Sequence, residues 1–276
     1  MFKIAYGAGH NLHTAGRCIP RSLDPQKTKE WVLNDRVARY FAQAAAQYPD
    51  VVLLRVDDPA GQASVSLSGR CKKANDWGAD FCLAIHHNGG INLGTGGGIV
   101  AYSCPGSRQG VLYRDAIYDA CIAAGGLRGN RANPKTTANF QVLRQTNAPA
   151  VLMEYGFMDS KTDASVILSD DYAKLVAYTT MDGIAQCVGL KKEQTKISKQ
   201  EECTVNVKTL SNGNQGAAVK ALQLLLIGFG YSCGSSGADG VFGAKTLAAV
   251  KNYQKGKGLV VDGIVGTETW TSLLGA

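Results

Sequence analysis

The chain predicts an α/β protein: a mostly parallel, twisted sheet flanked by helices, joined to a second, small all-α domain of three helices. Three observations carry this. Short apolar runs rich in strand formers alternate with longer helical patterns from residue 1 to about 189. A polar segment of mixed charge, LKKEQTKISKQEECTVN, then fills 190–206 without apolar periodicity. Beyond it an eight-residue motif occurs twice, Asp239-Gly-Val-Phe-Gly-Ala-Lys-Thr246 and Asp262-Gly-Ile-Val-Gly-Thr-Glu-Thr269.

Strands are expected at 2–6, 51–56, 80–85, 98–102 and 149–153, because each is a short run of apolar and β-branched or aromatic residues. Helices are expected near 28–47, 62–77, 107–124 and 165–188. The alternating order argues for parallel strands with helices on both faces. In the tail each Asp-Gly turn leads through Gly-x-x-Thr into a short apolar helix pattern, and AAVKALQLLLIGFGY precedes both as a third helix. Leu222, Leu225, Leu226, Val250 and Trp270 are its expected core. The domains are therefore 1–189, a linker over 190–206, and 207–276.

Composition narrows the function. The net charge is +7, spread over both domains and the linker, without the dense basic run and interleaved aromatics of a nucleic-acid binder. No stretch is long and apolar enough for membrane insertion. MFKIAYGAGH runs straight into the first strand and reads as lacking a signal peptide, so synthesis and folding in a cytoplasm are expected. The eight cysteines form no CxxC pair and no small-domain disulfide framework, so most are expected as buried thiols, with a disulfide within the tail left open. The pattern does not fix an oligomeric state.

The first 190 residues hold all four histidines but only two glutamates, Glu30 and Glu154. His10, His86 and Glu154 each follow a short apolar run: KIAY, FCLAI and AVLM. Open α/β sheets place their ligands at the carboxyl ends of parallel strands, so these groups converge on one edge. Glu30, in the expected first turn of the helix after the His10 loop, begins on that edge too. Two imidazoles and a carboxylate are a common protein complement for catalytic zinc. Zinc lowers the pKa of bound water from about 15.7 to about 7, and Glu154 is then free to act as a base. The constellation is that of a hydrolase. An arginine such as Arg70 or Arg144 is the alternative partner for Glu154, and a role in the helix dipole the alternative for Glu30.

The segments GAGH at 7–10, KEWVLN at 29–34, LSGRCKKANDWGADFCLAIHHNGG at 67–90 and FQVLRQTNAPAVLMEYGFMDS at 140–160 resemble the zinc-dependent N-acetylmuramoyl-L-alanine amidases of the type-three amidase fold. The resemblance covers nearly all of 1–188. It implies His10, Glu30 and His86 as Zn2+ ligands and Glu154 as the catalytic carboxylate. The tail, through GNQGAAVKALQLLL, GADGVFGAKTLAAVKNYQ and GLVVDGIVGTETWTSLL, resembles the type 1 peptidoglycan-binding module. Together they imply hydrolysis of the amide between N-acetylmuramic acid and L-alanine in bacterial peptidoglycan. The order of catalytic domain, linker and wall-binding module is endolysin-like, and implies an enzyme made in the host cytoplasm that acts at the wall after release.

Two departures are notable. The usual acidic-Pro-Gly-His loop is Tyr-Gly-Ala-Gly-His followed by Asn11, and the position after the second histidine, usually small, is His87. Strand neighbours point to opposite faces, so His86 is assigned as the ligand, while His87 and His13 are packed or orienting residues. Gly94-Thr-Gly-Gly-Gly98 precedes a strand and has no Lys-Ser/Thr, so it reads as a flexible loop beside the site. Two rival functions stand beside the amidase: a zinc peptidase cutting within the stem peptide or cross-bridge, and an inactive wall-binding protein.

Overall fold

The computed structural model describes residues 1–193 and 209–274. Contacts divide the chain into two compact units, Met1–Thr195 and Lys196–Ala276. The first contains β1 (Phe2–Ala8), α1 (Glu30–Ala45), β2 (Val51–Arg55), α2 (Leu67–Trp77), β3 (Phe81–Asn88), β4 (Val100–Ser103), α3 (Arg108–Ala123), β5 (Lys135–Thr137), α4 (Gln141–Arg144), β6 (Ala150–Phe157), α5 (Ala164–Ile167) and α6 (Asp170–Val188). The sheet order is β2-β1-β3-β6-β4-β5. All neighbouring pairs are parallel except β4 with β6.

The two faces differ because alternate residues differ. Ile4, Tyr6, Phe81, Leu83, Ile85, Val151, Met153 and Tyr155 project to one side and form a large core with α1, α3 and α6. Each such side chain contributes about 1.5–3 kcal/mol by leaving water. The opposite face carries smaller groups, Ala5, Cys82, Ala150 and Leu152, against Ala74 of α2 and Leu143 of α4. Small side chains leave space there. A cavity of about 300 Å³ lies over Ala5, Gly7, Cys82 and Ala84 and reaches His10 and His86.

Helix limits follow their caps. Ser66, Ser107 and Ser169 each accept a backbone N–H in the first turn of α2, α3 and α6, and left-handed Gly78 and Gly189 end α2 and α6. The segment expected as one helix over 165–188 is divided at Ser169 into α5 and α6. The helix expected from 62 starts at Leu67, because Asp58 accepts from the N–H groups of Ala60, Gln62 and Ala63 and holds that stretch as a loop. Strand β5 and the one-turn α4 are additions to the expected elements. The glycine run is pinned rather than flexible: Asp163 accepts from Gly98 N, Asn130 accepts from Gly97 N, and Thr162 Oγ1 donates to Gly96 O.

In the second unit α7 (Ala217–Gly228), α8 (Ala244–Gly256) and α9 (Thr267–Leu274) enclose Leu222, Leu226, Val250 and Trp270, with Leu225 partly buried beside them. The repeated motif is a repeated hydrogen-bond device. Buried Gln223 donates to Asp239 Oδ1 at 2.8 Å and Thr246 Oγ1 at 3.0 Å, and accepts from Gly240 N at 2.8 Å. Buried Gln254 donates to Asp262 Oδ1 at 2.9 Å and Thr269 Oγ1 at 3.2 Å, and accepts from Gly263 N at 2.9 Å. Gly240 and Gly263 adopt φ of 80° and 78°, which a side chain strains.

The linker expectation falls mostly outside the described residues. Within them, Leu190 and Glu193 still bond back to the first unit, through Ala185 O and Gln47 O. Cys203 lies outside as well. Among the described residues the other cysteines are free thiols; Cys71, Cys82, Cys121 and Cys233 are buried, and Cys187 is exposed. No described helix is long and apolar enough to cross a membrane.

Candidate metal centre

At the carboxyl end of β1 the chain turns sharply, with His10 at φ 64°. Its backbone is held from two sides. Asp57, just past β2, accepts from Ala8 N, and Arg70 of α2 donates to Ala8 O and His10 O. Asp57 is itself bound by Arg55, which bridges to Asp35 of α1 at 2.7 Å. Gly9 N donates to Ile85 O at 2.8 Å, docking the loop on β3. A Cβ at Gly9 would lie 2.1 Å from His86 Cε1, so only glycine leaves room for that ring.

Glu30 is the first residue of α1 and is fully buried. Its Oε1 lies 3.1 Å from His86 Nδ1 and its Oε2 3.2 Å from His10 Nε2. The two imidazoles meet edge to face, 5.1 Å apart. Oε2 is buried without a hydrogen-bond partner even though an imidazole nitrogen faces it. Arg17, at 3.9 Å, is too far to donate. Among the described residues this is the one trio of His, Cys, Asp or Glu side chains grouped for a metal, with ligand atoms all within 4.8 Å. The fit is chemical: two imidazoles and a buried carboxylate, each offering one ligand atom within 4.8 Å of the others, form a common protein complement for zinc.

Charge behaves as a metal corner requires. Burial opposes ionisation of Glu30, but the two imidazoles of His10 and His86 against it outweigh that and hold the carboxyl well below the usual range. Burial pushes the His86 pKa down, against the raising effect of the Glu30 carboxylate beside it.

His87 points to the opposite face of the sheet from His86. It is buried beside Tyr155, and Asn34 Oδ1 accepts from its Nδ1 at 2.8 Å. Burial drives its pKa down to about 3. Asn34, one turn after Glu30 on α1, also donates to Glu30 Oε1 and Gly9 O. His13 lies apart, bonded to Gln62.

Glu154 is the register partner of His86, and by alternation from Ala150 and Leu152 it lies on the same face. The bulge that follows is on β6: two steps of β3, His86 to Asn88, match three of β6, Glu154 to Phe157. Gly156 takes up the extra residue at φ 143°. Glu154 Oε2 is buried without a hydrogen-bond partner. Desolvation first, then the Glu30 charge, raises its pKa well above the usual range, against a lowering by Arg17. Neither Arg70 nor Arg144 pairs with it among the described residues; Arg70 is occupied by the His10 loop. The structure thus gathers His10, Glu30, His86 and Glu154 at one sheet edge. Arg17, Asn34 and Arg70 complete the setting. Of these, the sequence named Arg70 only as an alternative partner of Glu154, and Asn34 only as part of the KEWVLN segment.

The N-acetylmuramoyl-L-alanine amidase family model matches residues 4–186, and that of a putative peptidoglycan binding domain matches 215–273. An N-acetylmuramoyl-L-alanine amidase of Bacillus licheniformis is 32% identical over 200 residues, 72% of this chain and 74% of the relative. The chain spans about half the length of two other relatives. The sporulation-specific N-acetylmuramoyl-L-alanine amidase of Bacillus subtilis is 36% identical over 129 residues, covering 46% of this chain and 48% of its own. The endolysin of Bacillus phage SPP1 is 35% identical over 147 residues, covering 49% and 50%. The catalytic domain of an amidase from Paenibacillus polymyxa shares the fold at TM-score 0.60 and 22% identity, covering 69% of this chain and 100% of that one. The chain therefore belongs to the N-acetylmuramoyl-L-alanine amidases, hydrolases of cell-wall peptidoglycan, and carries a peptidoglycan-binding domain behind its catalytic one.

Proposed function

We propose that the protein is a zinc-dependent amidase in which His10, Glu30 and His86 hold the metal and Glu154 moves the proton. The observation that carries this reading is the buried Glu30 carboxylate between two imidazoles, one of its oxygens lacking any hydrogen bond. Bound zinc supplies Lewis-acid polarisation of the scissile carbonyl and lowers the pKa of water to about 7.

The remaining steps belong to the chain. Asn34, bonded to Glu30, Gly9 O and His87, keeps the Glu30 carboxylate aimed at the corner. Glu154 accepts a proton as water adds to the lactyl carbonyl carbon, and returns it to the alanine nitrogen as the C–N bond breaks. Its Oε2, buried without a hydrogen-bond partner, is free to carry that proton. The products are a free lactyl carboxylate on the glycan and a stem peptide beginning at L-alanine.

The catalytic domain is assigned to 1–189, the linker to 190–206 and the wall-binding domain to 207–276. The role is lysis of the bacterial wall as an endolysin or an autolysin, a choice supported by likeness to both phage and bacterial wall enzymes. Mass spectrometry of fragments released from purified walls, with and without chelator, tests the reading. Free peptides beginning at L-alanine, released only with zinc, are expected. Cut stems still joined to muramic acid mean a peptidase, and no release means a wall-binding protein.

A further inference from the structure

In the second unit the ends of α7 and α8 come together in a patch whose exposed groups its core does not use. The chain reads Gly228-Phe229-Gly230-Tyr231 where α7 stops and Gly256-Lys257-Gly258 where α8 stops. Gly230 and Gly258 are left-handed, at φ 86° and 69°, and turn the chain out of each helix. The side chains between the glycines gather on Tyr253. The Phe229 and Tyr231 rings lie 5.6 and 5.5 Å from its ring, and the Lys257 ammonium stands 5.5 Å from the Phe229 ring. Tyr253 is fully buried, but Phe229 is 47% exposed. Among the described residues Lys257, also exposed, is in no ion pair, and the Tyr231 hydroxyl makes no hydrogen bond. A Cβ at Gly228, Gly230 or Gly258 would meet nothing within 4 Å, so the space around the Phe229 ring is open.

Together these groups describe a ligand. An exposed aromatic face is apolar and carries partial negative charge, which suits the C–H face of a pyranose ring. The last carbonyls of two helices and the Tyr231 oxygen suit its hydroxyl and acetamido groups. The Lys257 ammonium, a compact point charge, suits a carboxylate. Charge agrees over the whole unit. Within 209–274 five lysines, Lys220, Lys245, Lys251, Lys255 and Lys257, stand against three acids, and two of those, Asp239 and Asp262, already serve Gln223 and Gln254. A glycan strand offers sugar faces, and the carboxylate on its own rings is the lactyl group of muramic acid. That group is a neutral amide while the stem is attached and an anion once the stem is cut.

We propose that this patch binds the bare glycan strand of the wall, Phe229 lying under a sugar ring and Lys257 taking a freed lactyl carboxylate. The lactyl half of the inference rests on the amidase reading above. The second unit then holds best to glycan that the catalytic domain has already cut, which keeps the enzyme at the edge of the intact wall as cutting spreads.

The test is calorimetric binding of the full, zinc-loaded chain to soluble polymers of matched length: stem-free glycan with lactyl carboxylates, the same glycan with lactyl carboxamides, chitin oligomers, and polyglycerol phosphate, an anionic polymer without sugar rings. Wild-type protein is expected to bind the carboxylate form about tenfold more tightly than the other three, the equivalent of about 1.4 kcal/mol. Lys257→Gln is expected to remove the carboxylate preference and Lys257→Arg to keep it. Phe229→Ala is expected to weaken every glycan about tenfold and Phe229→Trp to retain binding, with hydrolysis of a soluble muramoyl-peptide unchanged in all four variants. Equal affinity for carboxylate and carboxamide forms, variants that all bind as the wild type does, or tighter binding of polyglycerol phosphate overturn the proposal. Hydrogen exchange within 209–274 reports whether the unit stays folded; if Phe229→Ala opens it, the two Lys257 variants decide. Failure of the wild type to release peptide from walls sinks the amidase reading alone, and the glycan affinities still decide the patch.

Discussion

Asn34 Oδ1 accepts a hydrogen bond from His87 Nδ1 at 2.8 Å, and this bond separates two adjacent histidines into different roles. The Asn34 amide nitrogen is committed to Gly9 O and Glu30 Oε1, so its oxygen must face His87, and the neutral ring must carry its proton on Nδ1. His86 remains with Glu30. Asn34→Ala is expected to weaken zinc affinity about 10–100-fold while turnover per bound zinc changes little. Zinc titration by competition with a chromogenic chelator checks it, and an unchanged affinity contradicts the orienting role.

Gly9 leaves the space that the His86 ring occupies. Gly9→Ala is expected to displace that ring and abolish stoichiometric zinc binding while the sheet stays folded. Circular dichroism with metal analysis reads both, and a variant that binds zinc as the wild type does would falsify the packing argument.

Sequence reasoning reached these residues unevenly. The strands that carry His10, His86 and Glu154 were legible because both faces of their sheet are covered, which demands continuous apolar runs. Their ends were not: β3 and β6 continue through His86 and Glu154 to Asn88 and Phe157, and the bulge after Glu154 depends on Gly156, one glycine among many. Strand β5, only Lys135–Thr137, has too little apolar character to register. Arg17 acquires meaning only from what folding places around it. In the tail the Asp-Gly repeat was visible, but not the glutamines that it serves.

Those glutamines set the stability of the second unit. Gln223→Ala leaves Asp239, Gly240 N and Thr246 without their shared partner, and a cost of about 3 kcal/mol is expected. Hydrogen exchange in the full chain is expected to speed about a hundredfold within 209–274, with 1–193 unaffected. Gln254→Ala should behave alike. Acceleration confined to the substituted turn would contradict a device that holds the unit together.

Alkaline pH probes the first core. Burial pushes the Cys121 thiol up to about 11, so the thiol stays neutral in the folded chain while the unfolded chain ionises near its ordinary value of about 9. Its contribution to stability is intact below about pH 9 and is lost as pH rises towards about 11, at most about 3 kcal/mol. The stability gap between wild type and Cys121→Ala, read by urea unfolding, is expected to narrow between pH 7.5 and 10.5. A constant gap contradicts the burial.

The most direct measurement is zinc content and fragment release for Glu154→Gln, with His86→Ala alongside. One zinc per chain with turnover lowered at least about a hundredfold is expected for Glu154→Gln, and neither zinc nor turnover for His86→Ala. Near-normal turnover by Glu154→Gln, or full zinc in His86→Ala, would contradict the assignment of metal holding to His10, Glu30 and His86 and of proton transfer to Glu154.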